Sequence, residues 1–151
     1  MIVVLQRVTG AEVTVAGEPV GGIDTGLVIL AAIEKGDTEK QTRRMAERVL
    51  GYRVFPDSEG RMNLSVTDID GGLLLVPQFT LAADTRKGSR PSFTPAAAPE
   101  TGQRLFKAFV EACRVHHRKV ETGRFGASMQ VSLVNDGPVT FILRSRTDRD
   151  R

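Results

Sequence analysis

The sequence predicts an α+β fold: a single domain with a curved, mostly antiparallel sheet or barrel covered by two helices. Three observations carry this expectation. Short apolar or alternating runs bounded by Gly, Pro and Asp dominate the chain, which is the pattern of strands and turns. Only two stretches have a helical period, and each carries one apolar stripe, so both must lie on a sheet face. The length, 151 residues, suits one core, because a chain of this size buries roughly two thirds of its unfolded surface.

Taken in order, residues 2–8 are an apolar run of strand length, and Glu12, Val13, Thr14 and Val15 alternate. Gly17, Glu18 and Pro19 supply a turn and residues 20–23 a return strand. Residues 26–33 are continuously apolar, as expected of a central strand buried on both faces. Asp37 or Thr38 caps a helix, with Gln41 completing a capping box after Thr38. Thr42, Met45, Ala46 and Val49 form its inward stripe, and Gly51 is its stop. Residues 52–55 read as a strand, 56–60 as a turn and 62–66 as a weak extended segment closed off by Asp70, Gly71 and Gly72.

Residues 73–81 read as a buried strand that Pro77 interrupts just before Gln78, Phe79 and Thr80. The long segment 82–98 carries Arg86, Lys87, Arg90, Pro91 and Pro95, and reads as a solvated basic loop or a phosphate-contacting one. From about 97 to 116 the pattern is helical, with Leu105, Phe106, Phe109, Val110 and Cys113 on one side. His116 and His117 sit near its end, in capping or surface roles. Two apolar runs, 129–134 and 139–143, flank a turn containing Gly137 and Pro138. That turn is either a hairpin corner or a rigid backbone probe whose carbonyls face a ligand. The tail, 145–151, is charged, lacks core residues and is expected to fray.

Twenty-one Lys and Arg against 18 Asp and Glu give a formal charge of +3, which mildly favours a polyanionic partner. A single cysteine, Cys113, excludes an internal disulfide and a multi-cysteine zinc site, and fits a reducing compartment. It falls on the apolar side of the second helix, so a buried thiol is expected. No basic leader opens the sequence and no stretch approaches 18 apolar residues; a cytoplasmic protein without a membrane partner is expected.

The chemistry available is sparse. A serine-type triad needs a histidine beside its nucleophile, and the only two histidines lie together at a helix end. No ligand set for zinc and no phosphate-cradling signature is present, so neither a metal nor an organic cofactor is expected. What remains is the Thr80 hydroxyl, without a base in its own motif, and backbone N–H groups such as those of Gln78 and Phe79 that would hold an oxyanion.

The stretch 73–81 with Gln78, Phe79 and Thr80, taken with Asn135, Asp136, Gly137, Pro138, Val139 and Thr140, resembles the two signature motifs of the D-aminoacyl-tRNA deacylases. Residues 1–8, 87–93 and 126–129 are similar to the family as well. The resemblance implies the same α+β architecture, an obligate homodimer, and hydrolysis of the ester between a D-amino acid and the terminal ribose of tRNA. It implies a cis Gly-Pro bond that reaches across the dimer into the partner's active site. Gly137 and Pro138 would then receive the substrate amino group through their carbonyls, and Arg7 would steady that dipeptide. Phe125, Gly126 and Met129 match the region around the terminal adenine, and Arg86, Lys87 and Arg90 would contact the tRNA backbone. Selection is by exclusion of an L side chain, so glycyl-tRNA, as mischarged on tRNA(Ala), is expected to be a substrate too. One departure stands out: the family serine before Gln-Phe-Thr is Pro77 here, which puts any serine-based role in doubt.

Two other functions fit the residues. One is a non-catalytic nucleic-acid-binding module using the basic loop and tail, although one Tyr and no Trp leave few stacking platforms. The other is a Thr80-dependent hydrolase of small esters or amides.

Overall fold

The computed structural model describes residues 1–145; of the charged tail, only Ser145 lies within them. The sheet is built on β1 (Ile2–Val15), one 14-residue strand rather than the two expected. Its apparent break at Thr9 and Gly10 is an irregularity in the ladder and not an end. Along one edge, Ile2 to Val8 pair antiparallel with β3 (Gly26–Ala32), and Ala11 to Val15 pair antiparallel with β2 (Glu18–Ile23). The turn into β2 is Ala16-Gly17, both at positive φ, so Glu18 and Pro19 belong to the strand.

β3 is the central strand its apolar run predicts. Its other neighbour, β6 (Gly72–Pro77), is parallel to it, and β7 (Val120–Thr122), missed in the sequence, is parallel to β6. The order β2-β1-β3-β6-β7 then curls back on itself. A Cβ at Gly21 of β2 would stand 2.5 Å from the Thr122 carbonyl of β7, so the sheet is a nearly closed barrel. β4 (Phe55–Pro56) and β5 (Met62–Leu64) form a separate, shorter pair than expected.

Alternation along buried strands divides the core in two. Leu73 and Leu75 join Leu27 and Ile29 under the helices, against Met45, Val49, Leu105 and Phe109. Leu74 and Val76 join Val8, Val13 and Val28 inside the curl. Helix α1 (Glu39–Gly51) has the predicted Thr38–Gln41 capping box and buries Thr42, Met45, Ala46 and Val49. Gly51 is its last residue. Helix α2 (Pro99–His116) starts at a proline, two residues later than expected, and buries the five residues predicted. His117 is not a surface residue: it is buried, with Nε2 2.7 Å from the Gly71 carbonyl. Cys113 is fully buried, and desolvation pushes its thiol up to about 12.

The largest departure concerns the chain end. Runs 129–134 and 139–143 are not two arms of a hairpin. They form one strand, β8 (Gln130–Arg144), antiparallel to β1 throughout. Thr140 pairs with Gln6 and Asn135 with Val8, so Asp136, Gly137, Pro138 and Val139 stand opposite Arg7 alone. The Gly-Pro segment is therefore a large bulge in a continuous strand. The hairpin reading fails because both runs find their partner in the long first strand. Among the described residues nothing pairs with the far edge of β8, whose Val134, Phe141 and Ile142 side chains are exposed.

Candidate active site

A cavity of about 400 Å³ opens between β6, the start of α2 and the segment 125–131, a volume within the range of about 300–1,000 Å³ usual for small-ligand sites. Its wall is mainly apolar. Pro77, Gln78 and Phe79 form one side, Phe106 and Gly102 the helix side, and Phe125, Gly126 and Met129 the third. A Cβ at Gly102 would touch the Phe125 ring at 3.4 Å, and one at Gly123 would stand 2.8 Å from the Met129 sulfur. Phe106 and Phe125 face each other across the wall with ring centroids 6.4 Å apart.

The strand-to-turn transition at Pro77 follows from the ladder. On β6 the N–H groups of Leu73 and, by alternation, Leu75 and residue 77 face β7, whereas those of Gly72 and Gln78 face β3. β7 ends at Thr122, but Gly123 still donates its N–H to the Leu75 carbonyl at 2.8 Å; Pro77, which has no N–H, is where donation from β6 to that side stops. The Gln78 N–H donates to the Ala31 carbonyl at 2.8 Å, which removes it from the two oxyanion donors expected. The chain then enters a 3-10 turn, Phe79–Ala82. The N–H groups of Phe79 and Thr80, at the start of this turn, donate to no acceptor among the described residues. They are the unused backbone donors next to the wall that Gln78 and Phe79 form.

Thr80 does not line the cavity. Its hydroxyl oxygen accepts from the Gln78 side-chain amide at 2.6 Å, and no histidine or carboxylate is bonded to it among the described residues. Phe79 is 57% exposed, its ring 5.2 Å from that of Phe93. The basic residues Arg86, Lys87 and Arg90 lie on the exposed loop beyond. Arg86 is already engaged, its guanidinium donating to Asp84 at 2.8 and 2.9 Å; this holds the Asp84 carboxyl near 2.

Gly137, Pro138 and Arg7 form a second cluster that does not line this cavity. Arg7 Nη1 donates to the Val54 carbonyl at 2.6 Å, and its Nε lies 3.0 Å from the Asp136 carboxylate and 3.2 Å from the Asp136 carbonyl. Asn135 completes the frame: its Nδ2 donates to the carbonyls of Arg7 and Val139, at 2.9 and 3.1 Å. Val139 is buried behind it. The Gly137–Pro138 bond is cis, and both residues are exposed. Asn135 and Val54 carry no mark of this role in the sequence beyond the position of Asn135 inside the motif.

Among the described residues no group of three or more His, Cys, Asp or Glu is placed to hold a metal ion, and no helix is long and apolar enough to cross a membrane.

The chain is 66% identical over 149 residues to a D-aminoacyl-tRNA deacylase of Methylococcus capsulatus, covering 99% of this chain and 97% of that protein. It is 65% identical to the D-aminoacyl-tRNA deacylase of Stenotrophomonas maltophilia, over 95% of this chain and 99% of that one. Among solved structures, the c-Myc DNA unwinding element binding protein superposes with a TM-score of 0.93 at 40% identity, covering 97% of this chain and all of the other. A probable eukaryotic D-amino acid tRNA deacylase shares the fold, with a TM-score of 0.78 at 19% identity. The family model described as D-Tyr-tRNA(Tyr) deacylase matches residues 4–144. With Gln78 and Phe79 lining the cavity, Thr80 next to them in the chain, and Gly137-Pro138 on its framed bulge, the chain belongs to the D-Tyr-tRNA(Tyr) deacylase family.

Proposed function

We propose that this chain hydrolyses the ester joining a D-amino acid to the terminal ribose of tRNA, releasing free amino acid and tRNA, and that glycyl-tRNA is a second substrate. The observation that carries the reading is the pairing of an apolar cavity that ends in two unengaged N–H groups with a rigid bulge outside that cavity. In this mechanism the terminal adenosine occupies the pocket near Phe125, Gly126 and Met129. The ester carbonyl meets the Phe79 and Thr80 N–H groups, which stabilise the oxyanion formed when water adds; one such donor is typically worth about 100- to 1000-fold in rate. Collapse breaks the ester bond and returns a proton to the ribose oxygen.

The active unit in this reading is a homodimer. The bulge of one subunit enters the cavity of the other, and the Gly137 and Pro138 carbonyls accept from the substrate ammonium. An L side chain would then collide with the bulge, whereas a D side chain or glycine's hydrogen would not. The unpaired, apolar edge of β8 supports such an association, since exposed strand edges of this kind attract a partner. The Thr80 hydroxyl is not the nucleophile here: without a neighbouring base a hydroxyl is weak, and this one accepts a short bond from Gln78. Lys87 and Arg90 meet the tRNA phosphates, Arg86 doing so only by leaving Asp84. The test is hydrolysis of D-tyrosyl-tRNA by the purified protein, with an aminoacyl ester lacking the tRNA body as the comparison.

A further inference from the structure

The Phe79 and Phe93 rings, unlike the Phe79 N–H, have no task in the reaction just described. Both rings are large apolar surfaces left open, 57% and 43% exposed, with centroids 5.2 Å apart and planes inclined by 58°. Apolar contact alone would favour covering them, and a paired exposed aromatic surface on a folded domain usually meets a ligand.

Phe93 is also held in place. Asp84 and Ser92 exchange backbone bonds of 2.7 and 3.0 Å just before it, and the Ala96 N–H donates to the Phe93 carbonyl at 3.0 Å just after. These bonds close the loop that presents Lys87 and Arg90, which make no ion pair among the described residues. A fixed aromatic surface beside free cations is the arrangement that binds single-stranded nucleic acid, bases stacking on rings and phosphates meeting Lys and Arg.

Resting on the deacylase reading, we propose that Phe93, with Phe79, is the stacking platform for the nucleobase preceding the terminal adenosine, a cytosine of the single-stranded tRNA end. Phe79 lines the adenosine cavity and its ring packs against Phe93, so the pair borders that cavity and meets a strand that leaves it on this side. The loop cations then receive the phosphates of the same nucleotides. Phe93 thus distinguishes a nucleic acid end from an isolated adenosine ester.

The test uses the full-length protein, D-tyrosyl-tRNA as substrate, and adenosine and the trinucleotide CpCpA as competing inhibitors. Phe93→Ala raises KM for D-tyrosyl-tRNA by about 5- to 150-fold, the usual worth of one stacked base, and the loss falls on KM rather than kcat. Inhibition by CpCpA weakens in the same proportion, while inhibition by adenosine does not change. Phe93→Tyr restores binding and Phe93→Leu, which keeps bulk but has no π-face, does not. Equal weakening of adenosine and CpCpA, or rescue by leucine, would overturn the proposal and leave Phe93 as a cavity wall. Absence of D-tyrosyl-tRNA hydrolysis by the unaltered protein would instead overturn the deacylase reading itself, and the platform with it.

Discussion

A Cβ added to Gly137 would stand 2.8 Å from the Oδ1 of Asn135, whose amide nitrogen at the same time bridges the carbonyls of Arg7 and Val139. The side chain that closes the bulge thus also dictates the residue at its tip. Any larger residue at 137 must push Asn135 aside and so strain the two bonds by which it holds the Arg7 and Val139 carbonyls. Gly137→Ala is expected to leave the fold intact and lower D-tyrosyl-tRNA hydrolysis by about 100-fold, the usual consequence of displacing a positioning group by an ångström. Circular dichroism with single-turnover kinetics checks both halves.

Thr80→Ala removes the hydroxyl that accepts from Gln78 and keeps the backbone N–H. Turnover is expected to stay within about five-fold, far above the roughly million-fold loss seen when a true nucleophile is deleted. Steady-state rates on D-tyrosyl-tRNA decide this; a loss of several orders of magnitude would return the reaction to the hydroxyl.

Pro77→Ser restores an N–H on the side of β6 that faces β7 and Gly123, away from the 3-10 turn donors. Deacylation is therefore expected to change by no more than a few-fold, because neither the Phe79 nor the Thr80 donor moves. A gain of about two orders of magnitude in kcat/KM would show that the hydroxyl matters.

Asp70 forms an acid-sensitive ion-pair cluster on the surface with Arg118 and Lys119. Hydrogen bonds first from Arg118 and then from Lys119 lower its carboxyl to about 2. Its folded value lies below the unfolded one, so its contribution is fully present above the unfolded value near 4 and is lost as pH falls through 2. Thermal denaturation of Asp70→Asn is expected to fall less steeply than that of the unaltered chain between pH 4 and 2, and to run parallel to it above pH 5.

Much of this architecture was legible because local chemistry and tertiary contacts agree. Thr38 and Gln41 cap α1 as their spacing requires, and residues 26–33 sit in the sheet centre because nothing in them tolerates water. The long strand β8 was not legible: a glycine and a proline between two apolar runs mark a turn locally, and only the length of β1 opposite shows that the chain continues in one direction. The loss of the Gln78 N–H to Ala31 is likewise a property of the β3–β6 register, which no single stretch encodes. His117 was misread because its partner, the Gly71 carbonyl, lies 46 residues away. Signature residues located the cavity; what they do there depends on which backbone groups the ladder leaves unused.

In the proposed mechanism a backbone bulge, rather than a reactive side chain, selects handedness. Parallel hydrolysis of D- and L-tyrosyl-tRNA, by the unaltered protein and by Gly137→Ala, tests it most directly. The account predicts rapid release of D-tyrosine with L-tyrosyl-tRNA essentially untouched, and a preference that weakens when Gly137 is changed. Equal hydrolysis of both esters by the unaltered protein, or a D preference that survives disruption of the bulge, would contradict it.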